Sequence, residues 1–381
     1  MNTITYRILS HIRRYDWLLM GAVLLLIILG LLSLFSLSSL DSFHFFQRQI
    51  AWAGIGLVLL LAISFVDFRI FRTQSLPVFL FYVFTAMLLG GVFIGGFAVR
   101  GVEAWFKFGS VFFQPVELTK LSLLVLLAKF FSKRHVEIYR IKHLAVSGIY
   151  LAIPIFLVLL QPDLGSAIVL AGIWAAVIIF SGIKLRHFFF LIIVALLFSF
   201  AAWGWILAPY QKARITAFLN PYADPKGAGY QMIQSMIAVG SGRFWGKGLG
   251  YGSQSHLNFL PEAETDFIFA AFAEEWGFVG ILVILISLLI LLWRVIRIGI
   301  FASDNFSRLY SLGFGAIIFL QSMIHIGMNM GVMPITGITL PFVSYGGSSL
   351  VILMIGVGIL QNIRINARRA VAERGIVEEG L

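Results

Sequence analysis

An all-α polytopic membrane protein, with about ten transmembrane helices and a large extracytoplasmic loop between the seventh and eighth, is the fold class this sequence predicts. Three observations predict it. Hydrophobic residues make up 60% of the 381-residue chain and charged ones 12%, with 37 Phe and 37 Gly, the balance of membrane-embedded helices. The apolar stretches are long enough to span, since about 20 residues at 1.5 Å rise cross a hydrocarbon core of about 30 Å. The basic residues sit between those stretches and not along one face, so the net charge of +11 reads as a positive-inside topology and not as a nucleic-acid surface.

In chain order the expected spans are 17–38, 49–66, 76–98, 116–132, 143–160, 163–182, 187–208, 266–293, 309–332 and 344–363. The first follows an Arg-containing segment and is long enough to stay as a helix, so no cleavable signal is expected. Arg7, Arg13 and Arg14 precede it, Arg69 and Arg72 follow the second span, and Lys129, Lys133, Arg134, Arg140 and Lys142 follow the fourth. Lys184 and Arg186 follow the sixth, Arg294, Arg297 and Arg308 the eighth, and a cluster over 364–374 the tenth. Placing these in the cytoplasm puts both termini there, with 364–381 as a cytoplasmic tail of one domain, 1–381. The opposite side then holds Asp41, Glu103, Glu117, Asp163, Asp224, Glu262, Glu264 and Asp266, so chemistry is expected there.

The outer segments are 39–48, 98–115, the short turn 161–163 and the long loop 208–265. Tyr230, Met232, Ile233, Met236 and Ile237 recur at helical spacing, which predicts a short amphipathic surface helix. A glycine-rich turn region follows it. Pro334, Gly337, Pro341, Gly346 and Gly347 interrupt 331–349, and broken backbone at membrane depth survives only beside a cavity or inside protein. No internal repeat is evident, which weighs against an inverted-repeat transporter.

Zero cysteines exclude disulfides and thiolate chemistry. Seven scattered His without HExxH spacing argue against a resident metal centre. No phosphate-binding glycine loop is present, so the energy of any reaction must come from its substrate.

Asp266 opens the eighth span after Pro261, Glu262 and Glu264. A carboxylate in an apolar helix costs several kcal/mol unless it is paired, hydrated or used; the plain alternative is a helix N-cap. Ala270, Ala273, Glu274 and Gly277 share its helical face, a small polar stripe suited to a cleft. Glu117 and Lys120, three apart, can pair, as a structural ion pair or as a substrate contact. Asp163, in QPDLG, could join them, so that Lys120 bridges two carboxylates. Arg48, Arg100, Lys107, Lys212, Arg214, Lys226, Arg243 and Lys247 supply outer cations suited to a pyrophosphate. Singly, each reads as a solvated charge, and Trp105 beside Phe106 as an interfacial aromatic.

These residues lie in FQPVELTKL (113–121), QPDLG (161–165), DPKGAGYQMIQSMIAVGSG (224–242), GKGLGYGSQSHLNFLPEAETDFIFAAFAEEWGFVG (246–280) and MPITGITLPFVSYGGSS (333–349). With them the chain resembles the SEDS family of cell-wall proteins, in the wording of 227–242 and 253–267 its RodA-type elongation branch. The resemblance implies a peptidoglycan glycosyltransferase that polymerises lipid II in the bacterial inner membrane and releases undecaprenyl pyrophosphate. It also implies a complex with a class B penicillin-binding protein. Asp266 falls on the family's essential aspartate, Glu117 and Lys120 on its fourth-helix pair, and Asp163 on its QPDLG aspartate. Arg48, Trp105, Arg243, Lys247 and Ser344 complete the expected substrate-binding set. Ala104 and His325 depart from many relatives, which carry Arg and Asn there. No cofactor is required, although a divalent cation held by carboxylates could assist. The alternatives are a lipid II flippase or other transporter, a division-type (FtsW-like) paralogue, and a scaffold that only recruits the crosslinking enzyme.

Overall fold

The computed structural model describes residues 11–38, 43–66, 69–99, 102–109, 111–133, 141–205 and 207–373. Ten helices of 17 to 33 residues coincide with the ten expected spans. They are α1 (Trp17–Leu37), α2 (Phe43–Phe65), α4 (Leu76–Gly95), α5 (Pro115–Ser132), α6 (Ile141–Leu160), α7 (Leu164–Phe180), α8 (Leu185–Trp205), α12 (Ile268–Ile300), α13 (Asn305–Asn329) and α14 (Gly347–Glu373); the short α3 is Arg69–Thr73. Seven are long and apolar enough to cross a membrane on length and composition alone. Of the others, α5 carries Glu117, Lys120 and Lys129, α7 has 17 residues, and α8 has 21.

The long loop is structured. It holds α9 (Pro209–Leu219), a single 3-10 turn at Pro221–Ala223, α10 (Tyr230–Ser241) and the short α11 (Ser253–His256). The expected amphipathic helix is therefore α10, and it packs on α12 and α13 through buried Met232, Ser235 and Ala238.

Elsewhere the boundaries move. Helix α2 begins at Phe43 and not at residue 49, and α14 continues to Glu373, so the first part of the expected tail is helix. The segment expected as an open loop over 98–115 is a three-stranded antiparallel meander, β1 (Phe97–Val99), β2 (Val102–Phe108) and β3 (Val111–Phe113), turned at Gly109 with φ 62°. Arg7, Asp41, Arg100, Arg134, Arg140 and Arg374 lie outside the described residues.

Helix α14 packs along α2, α12 lies between α13 and α1, and α13 also contacts α7 and α5. Without a hydrophobic driving force in lipid, such contacts depend on close van der Waals approach. Gly358 provides one, because a Cβ there would stand 2.7 Å from the Leu60 carbonyl oxygen.

One break in this bundle positions everything below. Inside α12, Gly277 adopts φ 62° and ψ −161°, which ends one helical half and starts another. A break strips Glu274 and Glu275 of their carbonyl partners and Phe278 and Val279 of theirs, at several kcal/mol per unsatisfied group in hydrocarbon. The loop supplies all four. Lys247 and Gly248 N–H donate to the Glu274 and Glu275 carbonyls (2.9 and 3.0 Å), and Phe278 and Val279 N–H donate to the Arg243 and Phe244 carbonyls (2.9 and 3.2 Å). Residues 243–248 are thus spliced into α12, and a Cβ at Gly246 would collide with the Glu275 carbonyl.

Candidate active site

Asp266 stands on the turn that enters the first half of α12. Glu262 takes a left-handed φ of 62°, and its carbonyl accepts from Thr265, Asp266 and Phe267 N–H at 3.1 to 3.2 Å. The helix starts at Ile268 with Phe267 at its cap position, so Asp266 is not the capping residue that a plain structural role would make it. One of the orphan N–H groups expected at a helix start is met from another helix. Asn329 of α13 accepts from Ala270 N–H through Oδ1 (3.1 Å) and donates through Nδ2 to the Asp266 carbonyl (3.0 Å) and to His325 O (2.8 Å).

The broken segment 331–349 clasps the other side of the turn. Ser344 Oγ donates to the Thr265 carbonyl and accepts from Leu340 N–H (both 2.9 Å), and Tyr345 N–H donates to the Glu264 carbonyl (3.0 Å). Three consecutive carbonyls, 264 to 266, are therefore anchored. The Asp266 side chain remains half-buried and faces Gly337, where an added Cβ would lie 3.7 Å from Oδ2. A fixed backbone under a partly exposed carboxylate suits a group that must meet a substrate at defined geometry.

Glu274 and Glu275, just before the break, are fully enclosed; both Glu274 oxygens and one Glu275 oxygen are hydrogen-bonded, while Glu275 Oε2 is buried with no partner. Glu274 accepts from Lys247 Nζ (2.6 Å), Ser253 Oγ (3.2 Å), Gln254 N–H (3.0 Å) and Ser255 N–H (3.3 Å). Glu275 Oε1 accepts from Ser36 Oγ (2.5 Å) and Gly250 N–H (3.2 Å), and lies 2.8 Å from His256 Nε2. The two carboxylates bind the loop to α12 and to the end of α1.

The other expected residues divide. Glu117 and Lys120 are paired at 2.8 Å and buried, beside a small cavity of about 10 Å³ that Leu121, Phe314, Ile317, Ile352 and Leu353 also line. Asp163 does not join them. It caps α7 by accepting from Ser166 N–H (2.9 Å), so the expected bridge of Lys120 to two carboxylates is not formed. Lys247 is engaged by Glu274. Arg243 is exposed, with φ 49°. Arg48 is half-buried next to Gln49, whose amide contacts Ser344 O (3.1 Å) and Gly346 N–H (3.3 Å). Trp105 is half-buried on β2, opposite Phe97. The meander meets the same segment through Ser348 Oγ, which donates to Phe112 O (3.2 Å) and accepts from Gln114 N–H (3.1 Å).

Residues 339–349 therefore join the elements that carry Asp266, Arg48 and the start of α5. Sequence reasoning missed Asn329 and Gln49. The signal was an amide near one end of each of two apolar helices, where a polar side chain needs a partner.

Three comparisons bear on this arrangement. Residues 16–369 match the family model FtsW/RodA/SpoVE, described as cell cycle protein. The chain is 41% identical over 327 residues to stage V sporulation protein E of Bacillus subtilis (strain 168), covering 85% of this chain and 87% of that one. It is 36% identical over 322 residues to peptidoglycan glycosyltransferase MrdB of Escherichia coli (strain K12), covering 84% and 86%. A solved structure described as structural coordination of polymerization and crosslinking by a peptidoglycan synthase complex superimposes with a TM-score of 0.78 at 34% identity, covering 93% of this chain and 98% of that one. The expected SEDS assignment holds, and the chain belongs to the FtsW/RodA/SpoVE family of cell cycle proteins.

Proposed function

We propose that this chain is a peptidoglycan glycosyltransferase that polymerises lipid II, with Asp266 as general base. The relative named peptidoglycan glycosyltransferase MrdB supports the activity. The observation that carries the base assignment is the half-buried Asp266 carboxylate on a turn whose carbonyls are held by Asn329, Ser344 and Tyr345. Asp266 takes the proton of the acceptor GlcNAc 4-hydroxyl as that oxygen bonds to the donor's anomeric carbon. The bond from that carbon to the pyrophosphate breaks, and its electron pair leaves on undecaprenyl pyrophosphate. Such a leaving group needs cationic stabilisation more than protonation. Arg48 and Arg243 are the outer cations that suit this, since Lys247 and Lys120 are committed to Glu274 and Glu117.

Among the described residues no three His, Cys, Asp or Glu side chains gather so as to hold a metal ion, so no step is routed through the divalent cation expected as an aid. The working partner is a class B penicillin-binding protein, in keeping with a structural relative described as a synthase complex. The role in elongation rests on the wording of 227–242 and 253–267, while the sporulation protein is the more identical of the two named relatives. On this reading 208–265 is extracytoplasmic, and both termini lie in the cytoplasm.

The test is polymerisation of labelled lipid II by the purified chain with its transpeptidase partner. Asp266→Asn should abolish glycan while the thermal unfolding midpoint stays unchanged; normal polymer from that variant removes the base role. Transbilayer movement of lipid II with no polymer formed by the native chain would favour the flippase.

A further inference from the structure

The membrane end of the bundle opposite Asp266 is built differently. Asp16, just before α1, meets Arg294 of α12, whereas Ser36 near the end of α1 meets Glu275. The 16 residues from Phe278, just after the break, to Arg294 rise about 24 Å, most of one hydrocarbon thickness. Asp16 is 2% exposed, and its carboxylate is saturated. It accepts from Leu19 N–H (3.0 Å), from Arg294 Nε (2.9 and 3.0 Å) and Nη2 (2.5 Å), and from Arg364 Nη1 (3.2 Å).

Among the described residues two guanidiniums, Arg294 and Arg364, share the one Asp16 carboxylate, in a place where charge is costly. Arg364 is 9% exposed, and its Nε is buried with no hydrogen-bond partner. Arg294, Arg297 and Arg368 are close enough to repel it. Asp304, the carboxylate that follows α12 in the chain, is taken by Arg72 (3.3 Å) and by Ser307 N–H (3.0 Å).

The cluster opens toward lipid. The Arg297 guanidinium lies 5.6 Å from the Trp293 ring and 5.8 Å from the Phe301 ring, and both rings are exposed. Leu282, Ile286, Leu289, Trp293, Ile296 and Ile300 are all exposed at steps of three and four, one continuous apolar stripe up α12. Interfacial Trp marks headgroup depth, and basic pockets between helices take anionic headgroups.

We propose that Arg294, Arg297 and Arg364 hold the phosphate of an anionic phospholipid, whose acyl chain follows that stripe. The phosphate supplies the second anion that Asp16 cannot, and the site prefers anionic over zwitterionic lipid.

The test uses the purified full chain in nanodiscs of phosphatidylcholine with and without phosphatidylglycerol, read by thermal unfolding and by native mass spectrometry. Phosphatidylglycerol should raise the midpoint and stay bound on desolvation. Arg297→Gln, which leaves both guanidiniums on Asp16, should weaken retention about fivefold, and Thr216→Ala in the long loop should leave it unchanged. Arg364→Gln should do at least as much as Arg297→Gln if it folds. Equal stabilisation by phosphatidylcholine, the same shift from inorganic phosphate alone, or undiminished retention in Arg297→Gln overturns the proposal.

Discussion

The two ends of α12 solve opposite problems. Toward Asp266 the helix is broken, and neutral backbone groups of 243–248 and 264–266 are matched one by one by N–H, hydroxyl and amide partners. At the far end the helix is unbroken, and the joint is ionic, with Arg294 and Arg364 on Asp16. The difference shows where charge is kept available. Neutral anchoring of the turn leaves the Asp266 side chain partly exposed. At the other end the carboxylate is consumed in holding α1, α12 and α14 together.

Changes at each end should therefore separate function from stability. Asp266→Asn is expected to have the largest effect, a loss of polymerisation of roughly 10²- to 10⁴-fold or more with no fall in the unfolding midpoint. Asp16→Ala should do the reverse. Removing one partner of a buried ion pair costs about 3–5 kcal/mol, so thermal unfolding in detergent should drop steeply, and a variant as stable as the parent would dissolve the contrast. Gly277→Ala forces a Cβ into Gly246 N and Phe244 O at a φ of 62°, a strain of about 1–3 kcal/mol. Hydrogen exchange at Lys247, Gly248, Phe278 and Val279 should quicken while the Arg294 end keeps its protection. Ser344→Ala removes one hydroxyl from the Thr265 clasp, worth about 0.5–1.5 kcal/mol. It should lower the polymerisation rate at most about tenfold, and no change in rate would reduce the clasp to packing.

Much of the fold was legible because lipid leaves few choices: apolar runs of sufficient length must be helices, and all ten expected runs are. Asp266 stood out for the same reason, a carboxylate with a cost to explain. Glu274 and Glu275 carried the same signal, yet their partners, Lys247, Ser253 to Ser255, Ser36 and His256, come from distant segments whose meeting no local pattern encodes. The break at Gly277 was silent, since a glycine in an apolar helix ordinarily costs only about 1 kcal/mol. The meander escaped because two of its strands have three residues each, too short for an alternation to register. Asp163 was read as a member of the ion-pair cluster when the simpler chemistry of an N-cap already used it.

The splice at Gly277 has a consequence for biogenesis. Residues 243–248 leave the ribosome about 30 residues ahead of Phe278 and Val279, so the strip that completes the interrupted helix is already waiting when the gap is made. Neither piece can be seated in the bilayer alone without stranding amides and carbonyls in oil, which makes insertion of that hairpin a concerted event and its later withdrawal equally all-or-none.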